Sequence, residues 1–216
     1  MVVLKPNSLI CTHTQEEYSL EEIRWQSDSG HLLDIRFYPE FDKKLIRQRS
    51  ANLWRYREAL PLSSESFVTF GEGATPLQKV SISGRNIYFK LDFLFPTGSY
   101  KDRGSAVMVS KIKELGIEKV VQDSSGNAGA SVAAYCAKAG IDCDIFVPKE
   151  VSASKLAQIQ AYGAKVVVID GSREDTAQAA YEAARRSYYA SHCWNPFFLQ
   201  GTKTFAYEVC EQLGWK

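Results

Sequence analysis

The chain has 216 residues, of which 45% are hydrophobic and 24% charged, and its net charge is +1. This balance is typical of a globular protein with a sizeable core, and it argues against a nucleic-acid partner or an anionic membrane surface. No apolar run reaches the length of a membrane span, and the first nine residues lack the apolar core of a signal peptide. The five cysteines are scattered and odd in number, which favours buried thiols in a reducing compartment, so we expect a cytoplasmic protein.

Residues 1–66 differ from the rest of the chain because they hold few strand-like runs and no glycine-rich loop. Cys11, His13 and His31 suggest a metal site, but a closed structural zinc site needs four nitrogen or sulfur ligands. We therefore predict that this segment binds no metal. Further along, the spacing of apolar residues predicts a helix over residues 41–59.

A lysine follows a turn in the middle of the chain. The turn at residues 84–86 and the apolar stretch after it lead to a break before Lys101. From about residue 99 the sequence predicts a helix, because Met108, Ile112 and Leu115 recur at helical spacing. Lys101 thus lies at a helix start, where the helix dipole already contributes partial positive charge. From this stretch alone, Lys101 is either a solvated surface lysine or a functional amine.

From residue 117 onward, strands and helices alternate at intervals of about 25 residues. This alternation predicts βαβ units with a parallel sheet, and therefore an α/β fold. The predicted strands are 119–122, 144–147 and 166–169, and the predicted helices are 130–138, 152–163 and 173–187.

The loop at residues 124–129 joins the first of these strands to its helix. Its serines and glycines leave backbone N–H groups free near a helix start, so a carboxylate or phosphate is a suitable ligand. The sequence contains neither a dinucleotide-binding Gly-x-Gly-x-x-Gly after this strand nor a P-loop. Asn127 within the loop is either a local turn residue or a ligand contact.

These two segments resemble motifs of a known enzyme family. Residues 97–104 resemble the lysine motif of the fold-type II pyridoxal-phosphate enzymes, which have the tryptophan synthase beta-like fold, and residues 124–129 resemble their asparagine loop. Three further segments are similar to signatures of the threonine synthase family, namely 53–58, 71–77 and 195–204. The resemblance covers the chain from about residue 50 to residue 216.

The resemblance implies a role for particular residues. Lys101 would form the covalent link to pyridoxal 5′-phosphate, and Asn127 would bind the ring hydroxyl of that cofactor. Residues 124–129 would hold the substrate carboxylate, with Ser124, Ser125, Gly126 and Ala128 as the contacts beside Asn127. Ser99, Asn195 and Lys203 are candidates for contacts near the substrate phosphate. Arg103 is either a further phosphate contact or a partner of Asp102 or solvent.

The implied activity is the conversion of O-phospho-L-homoserine and water to L-threonine and phosphate, a step of threonine biosynthesis. Two other functions stay open. One is a different fold-type II reaction, such as that of threonine dehydratase, cysteine synthase or cysteate synthase. The other is a folded remnant without catalytic activity.

The resemblance also implies a division of the chain. Residues 1–66 would form an accessory segment with a degenerate zinc-ribbon-like start, in which Ser27 and Ser29 accompany Cys11. Residues 67–216 would form the cofactor-dependent region, incomplete at its C-terminus because the family's loop for the cofactor phosphate lies downstream. The apolar face of the last predicted helix, over residues 205–213, has no later strand to cover it and favours a homodimer or a further domain.

Overall fold

The computed structural model describes residues 7–63 and 67–215. The chain begins with a small antiparallel sheet of three strands in the order β2-β1-β3. These strands are β1 (Ser8–Cys11), β2 (Glu17–Ser19) and β3 (Leu33–Arg36). The sequence analysis missed this sheet because strands of three or four residues are too short to show a clear periodicity.

The helix predicted over residues 41–59 consists of two separate elements. Helix α1 (Lys43–Gln48) is capped by Asp42, whose carboxylate accepts the N–H groups of Lys44 and Leu45. Arg49 then adopts an extended conformation, and a 3-10 helix (Leu53–Ala59) begins with Asn52 as its cap. Two polar caps ten residues apart favour two short helices over one long helix.

A β-hairpin precedes the lysine turn. Strands β4 (Leu77–Ile82) and β5 (Arg85–Lys90) pair with each other through a two-residue turn at Ser83 and Gly84, both with positive φ. The predicted turn is therefore confirmed, one residue earlier than expected. Ile87, Tyr88 and Phe89 on β5 are each between 40% and 46% exposed, so the hairpin shows apolar surface on both faces. A 3-10 helix (Asp92–Leu94) then leads to residue 96.

The main body confirms the predicted α/β fold. Its four strands form a parallel sheet in the order β8-β7-β6-β9. The strands are β6 (Lys119–Gln122), β7 (Asp142–Pro148), β8 (Lys165–Ile169) and β9 (Tyr188–Tyr189). The helices are α2 (Lys101–Glu114), α3 (Asn127–Ala139), α4 (Ala153–Ala161), α5 (Arg173–Ala183), α6 (Pro196–Thr202) and α7 (Thr204–Gln212). Strand β9, which has two residues, was not predicted.

Local sequence signals explain most of these boundaries. Helix α3 begins at Asn127, earlier than expected, so the asparagine belongs to the first helical turn. Ser172 and Asp175 form a capping box at the start of α5, as the polar residues there suggest. The core is apolar and tightly buried, with Met108 and Ile112 from α2 and Ile145 from β7 all at 0% exposure.

The parallel sheet determines where a site can form. The loops after β6 and β9 leave the sheet at the same edge, because parallel strands present their carboxyl ends together. Helix α2 starts beside that edge, since Asp102 in its first turn accepts a hydrogen bond from Ser131 in α3. Within the described ranges, no helix combines the length and apolar character needed to span a membrane.

Candidate active site at the carboxyl edge of the parallel sheet

The turn before Lys101 is held rigidly. Gly98 has a φ of +78°, a conformation that favours glycine, and its N–H donates to the carbonyl of Phe95 at 2.8 Å. Asp102 is fully buried and accepts hydrogen bonds from the Thr97 N–H at 2.9 Å and from the Ser131 hydroxyl at 2.6 Å. The Thr97 hydroxyl donates to the same carboxylate. The turn, helix α2 and helix α3 are thus fixed to one carboxylate that neighbours Lys101.

Burial changes the acidity of this carboxylate. Removal from water raises the pKa of Asp102, and hydrogen bonds from Ser131 and Thr97 lower the same pKa by less. Its hydrogen-bond donors are two hydroxyls and one backbone N–H, and no cation pairs with it within the described part of the chain.

The Lys101 amine has no charged partner. Its side chain is half-buried, and Nζ lies 4.8 Å from the centroid of the Tyr100 ring. Within residues 7–63 and 67–215, Nζ takes part in no ion pair and no hydrogen bond. An amine that is half-buried and forms no ion pair keeps its nitrogen available to react with an aldehyde.

The guanidinium of Arg103 points away from this site. It is fully buried and pairs with Asp92 at 2.8 and 2.9 Å and with Glu208 at 3.0 Å. Glu208 also pairs with Lys90 of β5. Neither Asp102 nor solvent is its partner, so the prediction that it pairs with one of them is wrong. Arg103 instead joins α2 to α7 and to the segment after the hairpin, which keeps it from a substrate phosphate.

The loop at 124–129 forms the second wall of the site. The Ser124 hydroxyl accepts the Gly126 N–H at 3.3 Å, and Asn127 is exposed at the first position of α3. A Cβ on Gly129 would lie 1.8 Å from the Ser124 carbonyl oxygen. The loop therefore packs so closely against the start of α3 that only glycine fits at this position. The first N–H groups of α3 have no carbonyl within the helix to bind and are available to an anion.

Three residues that the sequence analysis did not select lie at this edge. Asp123 follows β6, is 5% exposed and forms an ion pair with Arg173, the first residue of α5. His192 follows β9, and burial lowers its pKa. The positive charge of Lys101 acts in the same direction on that pKa. Strand β9 gave no signal in the sequence, so the approach of His192 to β6 could not be inferred.

The three residues predicted to contact the substrate phosphate differ in their burial and hydrogen bonds. The Ser99 hydroxyl is buried and accepts the Lys101 N–H at 3.4 Å. Asn195 caps α6 by accepting the Phe197 N–H, and its amide donates to the Tyr188 hydroxyl, so the fold uses both ends of this side chain. The Lys203 amine donates to Gln200 at 2.9 Å and is exposed. Their contact with substrate stays a prediction.

The N-terminal sheet carries the cysteine and histidines noted in the sequence. Cys11 is buried and its sulfur accepts the Thr14 N–H at 3.3 Å. Ser29 bridges this region to His31, with 3.0 Å between Oγ and Nδ1, and His31 stacks on His13. Among the residues with described positions, no three histidine, cysteine or acidic side chains are grouped to hold a metal ion.

The site fits a ring cofactor that carries an aldehyde and negative charge. Lys101 offers an unpaired amine, Asn127 offers an exposed amide, and the N-terminus of α3 offers backbone donors. Asp123 Oδ1 and His192 Nδ1 are buried without hydrogen-bond partners, which is typical of atoms that contact a ligand.

Comparison with known proteins agrees with this chemistry. A family model described as pyridoxal-phosphate dependent enzyme matches residues 68–216. The chain is 38% identical to the threonine synthase of Methanocaldococcus jannaschii over 219 residues, which cover 95% of this chain and 54% of that protein. It is 39% identical to the threonine synthase of Bacillus sp. strain ULM1 over 168 residues, covering 74% of this chain and 48% of that protein. The chain thus spans about half the length of these relatives.

Solved structures share the fold. A hydrogen sulfide-producing enzyme from Fusobacterium nucleatum matches with a TM-score of 0.58 and 26% identity, covering 66% of this chain and 51% of that chain. The diaminopropionate ammonia lyase of Escherichia coli matches with a TM-score of 0.59 and 20% identity, covering 68% and 50% respectively. The second likeness concerns the fold alone.

Proposed function

Because the chain belongs to the family of pyridoxal-phosphate dependent enzymes, we propose that it carries the lysine half of an enzyme that converts O-phospho-L-homoserine and water to L-threonine and phosphate. The observation that carries the proposal is the unpaired Lys101 amine at the start of α2, where the next residue, Asp102, is hydrogen-bonded to Ser131 of α3. The similarity to two threonine synthases supports this reaction over others of the family.

Pyridoxal 5′-phosphate is the cofactor of this family, and when bound it supplies an electron sink for negative charge at the substrate α-carbon. We assign the covalent attachment to Lys101, which then removes and returns the α-proton as a general base and acid. Asn127 donates its amide to the ring hydroxyl without adding charge. The backbone donors at 124–128 bind the substrate carboxylate, as a helix N-terminus favours an anion.

The remaining residues of the site have supporting parts. Asp102 and Thr97 fix the turn, so that the Lys101 amine would be held in position for proton transfer. Ser99, Asn195 and Lys203 are retained as proposed contacts for the substrate phosphate. For Asn195 this role requires the second N–H of its amide, because the first already donates to the Tyr188 hydroxyl and phosphate oxygens accept hydrogen bonds.

The experiment that tests the site is an absorbance scan with pyridoxal phosphate, before and after borohydride. We expect a visible band that reduction converts into a permanent attachment, and we expect Lys101→Ala to lack both. Lys113→Ala is the matched control, because Lys113 lies exposed on the same helix. Equal attachment in Lys101→Ala would remove the lysine from the proposed role.

A second candidate function is another reaction of the same fold type. The hydrogen sulfide-producing enzyme from Fusobacterium nucleatum supports this alternative, because it shares 26% of residues over the aligned part. Phosphate release separates the two. The proposed reaction liberates inorganic phosphate from O-phospho-L-homoserine, whereas the alternatives named in the sequence analysis do not require this substrate. Failure to bind the cofactor at all would favour the remnant without activity.

The proposal includes the setting of the enzyme. We propose an amino-acid substrate, a cytoplasmic location and a role in threonine biosynthesis. We also propose a homodimer, which the exposed apolar residues Phe205 and Leu213 near the end of the chain support. Light scattering over a range of protein concentrations tests this state, and a constant monomer mass would contradict it.

A further inference from the structure

His192 is placed by an unusually short strand. Strand β9 pairs in parallel with β6, with Val121 opposite Tyr189, and the Gln122 side chain donates to the Ala190 carbonyl at 2.8 Å. Because the two strands end side by side, the residues that follow them leave the sheet at neighbouring points. Asp123 and His192 are therefore brought to the carboxyl edge where Lys101 also lies.

One nitrogen of the imidazole has a partner and the other does not. The Nε2 atom lies 3.4 Å from the Cys193 sulfur, and the ring meets Phe198 edge-on. The Nδ1 atom is buried and makes no hydrogen bond. In the part of the chain with described positions, only two other buried side-chain atoms share this condition, and Asp123 Oδ1 is one of them. Two such atoms on adjacent loops of one edge indicate a ligand that binds between them.

The charged groups around the ring are few and of both signs. They are Asp123 after β6, Lys101 at the start of α2 and Arg173 at the start of α5. Burial lowers the pKa of His192, Asp123 raises it, and the two cations lower it. The ring is thus neutral near pH 7, with a nearby carboxylate to stabilise it once it takes a proton. A neutral imidazole in such surroundings is a suitable general base.

We propose that His192 is a second proton-transfer residue of the lysine site, which takes a proton from the water that the reaction adds to the substrate. The inference rests on the proposed function. In this step the water oxygen would form a bond to the substrate β-carbon as the π bond at that carbon breaks, and one O–H bond would break as its proton moves to Nδ1. The bound cofactor would supply the electron sink for the displaced electron pair. Asp123 balances the charge on the ring, and Lys101 keeps its own task at the α-carbon.

The first test needs no cofactor. The chain contains three histidines, so NMR spectra of the imidazole nitrogens resolve each pKa separately. We expect His192 to titrate below the ordinary histidine value of about 6.5. Lys101→Met should raise this pKa and Asp123→Asn should lower it, each by about half a pH unit or more. Lys113→Met should leave it unchanged. A His192 pKa that ignores both substitutions would overturn the shared site.

The second test separates proton transfer at the two carbons. With cofactor and substrate in deuterated water, His192→Gln should exchange the α-proton within about threefold of the unaltered protein, because Lys101 performs that step. Formation of threonine should fall about 100-fold, the usual effect of removing a general base. The rate should also lose the part of its pH dependence that follows the His192 pKa. Equal loss of exchange and product would show a structural role and overturn the proposal.

Failure of the proposed function gives a different pattern. If the unaltered protein exchanges the α-proton but forms no threonine or phosphate, the reaction is another one and the water-addition step is overturned with it. The effect of Lys101→Met on the His192 pKa would still be measured in the first test. If threonine forms normally in His192→Gln, the proposed function stands and the histidine has no part in it.

Discussion

Two clusters of buried polar groups, one around Arg103 and one around Asp123 and His192, differ in how completely they are paired. In the first cluster, Arg103 bonds to both Asp92 and Glu208, and each of its three guanidinium nitrogens has a partner. In the second cluster, Asp123 and His192 each have one buried polar atom without a hydrogen-bond partner. Paired charge fixes the position of helix α2, whereas unpaired polar atoms leave hydrogen-bonding capacity for a ligand.

The largest effect is expected on the paired side. Arg103→Met leaves the carboxylates of Asp92 and Glu208 buried with less compensation, so we expect a loss of about 3–5 kcal/mol in the free energy of unfolding. Urea denaturation followed by circular dichroism measures this value. Arg185→Met is the matched control, since its side chain is 69% exposed and that of its partner Glu182 is 47% exposed, so it should change stability by less than about 1 kcal/mol. Similar losses for the two variants would break the comparison.

Asp102 gives an intermediate effect with a defined pH dependence. Asp102→Ala removes the acceptor of the Thr97 and Ser131 donors, and we expect a loss of about 1–3 kcal/mol. The folded-state pKa of Asp102 lies above its ordinary value of 3.8, so the folded form binds this proton more tightly than the unfolded form. The unaltered protein therefore gains stability from this group as the pH falls through the raised pKa.

The variant lacks that gain, so its deficit should grow as the pH falls from 7 to 4, toward the ordinary value of 3.8. Urea unfolding at both pH values measures the two deficits. Glu118→Ala, an exposed carboxylate that follows the same helix, serves to show the background pH dependence. A deficit that shrinks toward pH 4 would contradict the raised pKa.

The smallest effect on stability is expected on the unpaired side. His192→Phe replaces a buried nitrogen that has no partner with carbon, so the free energy of unfolding should stay the same or rise by up to about 1 kcal/mol. The same variant should lose threonine formation. Thermal unfolding beside the activity assay measures both properties. A stability loss above about 2 kcal/mol would show that the imidazole belongs to the scaffold after all.

Short-range patterns in the sequence were enough for much of the fold. The spacing of Met108, Ile112 and Leu115 predicted α2, and the recurrence of apolar runs predicted β6, β7 and β8. Lys101 and Asn127 were selected through their motifs, and the structure brings both to one edge. Their roles with the cofactor stay predictions.

What the sequence concealed depends on distant partners. Arg103 is separated from Glu208 by 105 residues, and no local pattern shows that they meet. The two residues of β9 are fewer than any periodicity needs, yet they bring His192 to the edge beside Asp123. The prediction of a single helix over 41–59 was wrong. Asp42 and Asn52 each cap the start of a separate short helix, although the apolar spacing continues through both.

The hairpin of β4 and β5 also affects how the chain behaves in solution. Within the described residues, each strand pairs only with the other, so both outer edges carry backbone groups that can add a further strand. The exposed Ile87 and Phe89 lie beside such an edge. Edges of this kind promote colloidal self-association, which depends on concentration and on time. A preparation of this chain should therefore be kept dilute, and its apparent mass should be followed during storage before any dimer is assigned.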